Sequence, residues 1–161
     1  MNRQTIIVIV TAVITTLIVL IGIAALMPIL GPRYMHPLMM GNQPAPGDLD
    51  TSSERLSDGG LFRVSWTSDP ASPPLNRMHT WTLHLETPDG KSVEGAEISV
   101  DGGMPLHGHG LPTSPQVTQE LGSGDYLVEG MKFQMPGWWE VRFRIQADGQ
   151  ADTITFNLTL E

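Results

Sequence analysis

From Leu61 to the C-terminus, apolar and polar residues alternate in short runs broken by turn residues. This is the pattern of antiparallel β-strands, each burying one face. The clearest run is GWWEVRFRIQ, which puts Trp139, Val141, Phe143 and Ile145 on one face and Trp138, Glu140, Arg142 and Arg144 on the other. ADTITFNLTL repeats the period with Ile154, Phe156, Leu158 and Leu160, and LFRVSWTS with Phe62, Val64 and Trp66. In RMHTWTLHLET the core face carries Trp81, Leu83 and Leu85, so His79 shares that face at the strand's entrance and His84 turns to solvent. VEGAEISVD, QVTQEL and DYLVEGMKF supply further strands, and Pro88-Asp89-Gly90-Lys91 is a turn. No helical period appears after residue 60. The expected fold is all-β, an immunoglobulin-like antiparallel sandwich of about seven strands.

The N-terminal part has a different period altogether. Thr5 to Met27 reads TIIVIVTAVITTLIVLIGIAALM, with no charge and no Pro. That length spans a hydrocarbon core about 30 Å thick as a helix. Ala24-Ala25 leave a cleaved export signal as the competing reading. The run exceeds the roughly 7–15 apolar residues of a signal peptide, and Pro28-Ile29-Leu30 prolongs it, which favours an uncleaved anchor. The expected organisation is therefore a short flank at 1–4, a transmembrane helix at 5–27, a linker at 28–59 rich in Pro, Gly and Met, and a β-domain at 60–161.

Charge narrows the partners. Lys and Arg number nine and Asp and Glu seventeen. With Arg3 and Arg33 set aside, seven cations face seventeen carboxylates after residue 33, a formal charge of −10. This argues against nucleic acid and favours an exported domain, anchored in the inner (cytoplasmic) membrane by residues 5–27 with its C-terminal part in the periplasm or extracytoplasmic space. The flanking Arg3 and Arg33 leave the orientation itself undecided.

Candidate chemistry concentrates in Gly102-Gly103-Met104-Pro105-Leu106-His107-Gly108-His109-Gly110. Imidazole and thioether are donors for copper, and Gly108 lets His107 and His109 face one point. Met104 lies three residues before His107, and Met131 and Met135 end the next-to-last hairpin. The candidate metal site is His107, His109, Met104, Met135 and His79, suited to Cu(I), with Asp101 as a harder auxiliary or as an acceptor for a ligating imidazole's N–H. Tyr34-Met35-His36-Pro37-Leu38-Met39-Met40 is either an interfacial segment or a loose Cu(I) relay. A plain structural account competes throughout: Met104, Met131 and Phe133 fill the core, Pro105 fixes a turn, and the histidines close a loop. Trp139 belongs to the core, and Trp138 is expected to cover the histidine loop.

With no cysteine, thiolate zinc, iron–sulfur and blue-copper centres are excluded, as are disulfides. No nucleophile elbow or phosphate-cradling glycine loop occurs, and the expectation is a protein that is not an enzyme.

Two segments carry a family likeness: Met-Pro-x-His-Gly-His-Gly at Met104–Gly110 and Gly-Met-x-Phe-x-Met-Pro-Gly-Trp-Trp at Gly130–Trp139. Through the region from Asn76 to Ile145 the chain resembles the YtkA-like domain, a relative of the FixH-like membrane-anchored proteins. The resemblance implies an anchored extracytoplasmic β-sandwich, and its FixH-like branch implies a link to assembly of copper-containing haem oxidases and to cation handling. Two functions are expected from this sequence. One is a copper-binding or copper-delivery protein that passes the ion to a copper-accepting protein. The other is an accessory domain without metal that docks on a membrane complex of the oxidase type.

Overall fold

The computed structural model of the protein describes residue 2 and residues 47–161. The apolar run 5–27, the Met-containing segment 34–40 and His36 lie outside the described residues. No helix among the described residues is long and apolar enough to cross a membrane.

Residues 47–161 form nine strands and, among the described residues, no helix. They are β1 (Glu54–Leu56), β2 (Arg63–Asp69), β3 (His79–Glu86), β4 (Glu97–Met104), β5 (His109–Gly110), β6 (Gln116–Gly122), β7 (Asp125–Met131), β8 (Gly137–Ala147) and β9 (Gln150–Leu160). Every pairing between them is antiparallel. One ladder runs β1-β2-β3-β7-β6 and a second runs β5-β4-β8-β9. They join through one residue pair, Ser99 with Gln116.

Alternation along the strands decides which side chains go inside. Trp81, Leu83 and Leu85 of β3 are fully buried, as are Trp139, Val141, Phe143 and Ile145 of β8 and Phe156 of β9. Rings from the two ladders meet: Trp81 lies 6.3 Å from Phe143, and Trp66 meets Phe156 edge-on at 6.3 Å. Each large apolar side chain so buried contributes about 1.5–3 kcal/mol relative to exposure, which makes this aromatic layer the main source of cohesion. His79 is buried with the core face, as its place in the alternation requires.

Pairing begins earlier than periodicity indicates. β1 falls inside the stretch read as a linker, and a three-residue strand is too short to show an alternation. After β1 the chain crosses to the outer edge of β9. There the Asp152 carboxylate accepts hydrogen bonds from the Ser57 hydroxyl (2.6 Å) and from the amides of Gly59 (3.0 Å), Leu61 (3.3 Å) and Thr153 (2.8 Å, to Oδ1). The Asp58 amide donates to the Thr153 carbonyl at 2.8 Å. Arg55 donates to the Thr155 carbonyl at 2.7 Å. The β9 edge is thereby covered by residues 55–61.

Register places the candidate residues at one end of the domain. His79 opens β3 opposite Met131, which closes β7. Met104 closes β4, one residue beyond the pairing of Gly103 with Glu140, near the start of β8.

Candidate functional site

The His-containing stretch is a hairpin tip. Met104 ends β4 and His109 begins β5, paired directly across the ladder, and Gly103 pairs with Gly110. The Met104 carbonyl accepts from the amides of His107 (3.1 Å) and Gly108 (3.0 Å). Gly108 turns the chain with φ +64°, a conformation that a side chain would strain. Glycine is required before the tip because backbones approach closely: a Cβ on Gly102 would stand 2.5 Å from the Glu140 carbonyl oxygen, and one on Gly103 would overlap the His109 carbonyl.

This backbone sets out the side chains. His107 and His109 are both exposed, with ring centres 6.3 Å apart and planes within 16° of each other. Neither imidazole is hydrogen-bonded among the described residues. Met104 and His109 are directly opposed across the ladder, yet their side chains part, His109 to the surface and Met104 inward. Met104 is 2% exposed and runs into the core, its methyl close to Gly137. A shallow depression of about 280 Å³ beside the hairpin is lined by Asp101, Met104, His109, Glu140 and Arg142. Asp101 is tied locally, its carboxylate accepting from the Gly102 amide at 2.8 Å.

The structure brings only part of the expected set to the hairpin. Met135, partly buried, belongs to the turn ahead of β8, and its carbonyl accepts the Trp139 indole N–H at 3.0 Å. That turn ends at Gly137, against the Met104 methyl. His79 sits in the other ladder, its ring 5.5 Å from Phe133, which in turn lies 5.2 Å from Trp139. Two aromatic rings thus connect His79 with the strand that flanks the hairpin. Trp138 donates its indole N–H to Asn157 of β9 at 3.0 Å, on the side of β8 away from β4.

His79 has an unusual polar environment. Its Nδ1 lies 3.2 Å from the Arg77 carbonyl, which can only accept, so Nδ1 carries the proton and Nε2 is left as a bare acceptor. Nε2 is buried without a partner. Desolvation holds the imidazole below its ordinary pKa, the Arg77 bond opposing this in part, so the neutral form is favoured.

Alternation along β3 turns His84 to solvent. It does lie on the outer face, but its ring is held between two carboxylates, Asp125 at 2.6 Å from Nδ1 and Glu86 at 3.1 Å from Nε2. Glu86, two residues along the same face, was readable in the sequence; Asp125 depends on the pairing of β3 with β7. The bonds to Glu86 and then Asp125 raise the His84 pKa. Among the described residues, no group of three or more His, Asp or Glu is gathered as a metal cage.

Comparison with known proteins matches residues 62–144, just over half of the chain, to the family model described as YtkA-like. No curated protein matches. Among solved structures, a DUF4426 family protein from Pseudomonas aeruginosa PAO1 is similar at 17% identity and a TM-score of 0.47, over 67% of this chain and 94% of that one. The ZirS C-terminal domain is similar at 16% identity and a TM-score of 0.37, over 73% and 82%.

Proposed function

The chain belongs to the YtkA-like family, and from that premise we propose that it is a membrane-anchored extracytoplasmic protein that binds copper and delivers it to a copper-accepting protein or membrane complex. In this reading residues 5–27 are the anchor in the inner membrane. The two ladders are the sheets of an immunoglobulin-like sandwich, an assignment supported by their strand orders, β2-β3-β7-β6 and β4-β8-β9, which follow the ABED and CFG sheets of that fold.

The observation that carries the reading is the geometry of the His107 and His109 rings. Two imidazoles on opposite sides of one ion, each nitrogen about 2.0–2.1 Å from it, have ring centres roughly 6 Å apart. The His107 and His109 rings, stacked at 6.3 Å, reach one ion by rotation of either exposed side chain, and among the described residues neither is hydrogen-bonded to another group. Met104, directly opposite His109, and the Met135 turn beside it are thioethers that favour Cu(I) over harder ions. An exposed, weakly charged pair also suits transfer, because an accepting protein can reach the ion.

The test is titration of the full-length protein in detergent with Cu(I) against a competing chelator. The His107→Ala/His109→Ala double variant is expected to lose the tightest site of the hairpin, with affinity down at least about tenfold. Unchanged Cu(I) uptake in that variant would sink this reading and leave the accessory-domain function, docking without metal, as the better account.

A further inference from the structure

We propose that His79 and Met131 form a second Cu(I) site, inside the domain and separate from the exposed hairpin. The choice of ion rests on the copper reading above; the pairing of donors rests on the fold. His79 and Met131 are direct cross-strand partners at the ends of β3 and β7. Both are buried, His79 at 5% exposure and Met131 at 0%, so their side chains share the inner face, with about 4.5–5.5 Å between Cβ atoms.

The imidazole is set up as a ligand. Nδ1 donates to the Arg77 carbonyl, an arrangement that fixes ring and tautomer in metal-binding histidines and leaves the Nε2 lone pair for an ion. Among the described residues that lone pair is buried and unpartnered, which is unfavourable in an apolar interior. An ion held there offsets this cost, and the neutral donors, one nitrogen and one thioether sulfur, select a soft monovalent ion in preference to a hard divalent one. The register of β3 against β7 shifts between His79 and Trp81, setting His79 apart from the regular ladder. Met78, next in the chain and 60% exposed, offers a thioether at the surface by which an ion could approach.

The two sites divide the work. The hairpin is open to a partner, whereas the inner pair is closed by Phe133 on one side and by the strands themselves. An ion on His79 and Met131 is stored, and one on His107 and His109 is exchangeable.

The test counts Cu(I) equivalents on the full-length protein in detergent. The wild type is expected to take two. The His107→Ala/His109→Ala variant should keep one, with both nitrogen and sulfur scattering in its X-ray absorption spectrum. Adding Met131→Leu, close in volume, should weaken that remaining equivalent at least about tenfold while the near-UV circular dichroism stays as in the wild type. His79→Gln, which keeps a donor for the Arg77 carbonyl, should do the same and decides the matter if Met131→Leu perturbs the fold. A hairpin variant that binds no copper, or an inner equivalent indifferent to both substitutions, overturns the inner site. If instead the hairpin substitutions change nothing and Met131→Leu removes the copper, the inner site stands and the hairpin reading fails.

Discussion

Residues 57–61 and the hairpin tip 104–109 both lie along the β5-β4-β8-β9 ladder, yet they use their polar groups in opposite ways. In the first, one carboxylate gathers the Ser57 hydroxyl and the Gly59 and Leu61 amides, and the Asp58 amide reaches the Thr153 carbonyl, so most donors of the segment are spent on holding it to β9. In the second, the backbone alone makes the turn, and among the described residues neither imidazole is hydrogen-bonded. Stability in one segment comes from side chains; in the other it comes from glycine geometry, which frees the side chains for something else. That separation is what a binding loop on a β scaffold needs.

Breaking the hairpin's backbone should have the largest effect. Gly103→Ala puts a methyl group into the His109 carbonyl and is expected to cost about 3 kcal/mol. Chemical denaturation should show this as a lowered midpoint, with Cu(I) uptake at the hairpin lost as well. An unchanged midpoint would mean that β4 and β5 are not held in this close approach.

Asp152→Ala tests the opposite segment, with an expected cost of about 2 kcal/mol for several bonds to a carboxylate and no change in hairpin copper affinity. Burial works to raise the Asp152 pKa, but the bonds from Ser57, Thr153, Gly59 and Leu61 outweigh it and the net shift is downward. A lowered folded pKa contributes stability above the ordinary carboxylate range, and this is lost as pH falls through the folded value. The difference between wild type and variant should therefore shrink in acid, and a gap that widens there would contradict this role.

The smallest effect is expected at His84, a histidine committed to structure. Its pKa is raised by Glu86 and Asp125, so its contribution is present below the unfolded value and fades as pH rises through the folded one. Because the cluster is partly exposed, His84→Gln should cost only a few tenths of a kcal/mol near pH 5 and nothing near pH 9. A pH-independent difference would show that the two carboxylates do not hold the charged ring.

Much of the fold was legible in the sequence because half-buried strands advertise themselves. Trp139 to Ile145 and Ile154 to Leu158 alternate in the chain and are buried in the structure. The same alternation placed His79 inside. β1 and β5 were not legible, since three and two residues carry no period. Nor was the Ser57–Asp152 bond, whose partners are 95 residues apart and have no compositional mark. The candidate donors read from the sequence as one set lie in two different ladders, His79 in one and the hairpin in the other. Phe133, readable only as a core residue, stands between His79 and Trp139 of the ladder that carries the hairpin.

The cover over β9 has a consequence for how copies of this protein meet. An eleven-residue strand with a bare edge is a template on which another chain can add its own backbone, the first step toward aggregation. Here the carbonyls of Thr153 and Thr155 are already occupied by Asp58 and Arg55. At the opposite border of the sheet the edge strand is β1, only three residues long and so a poor template. Among the described residues, then, one border of the sheet is partly capped and the other is short, two features that discourage strand addition by a second copy.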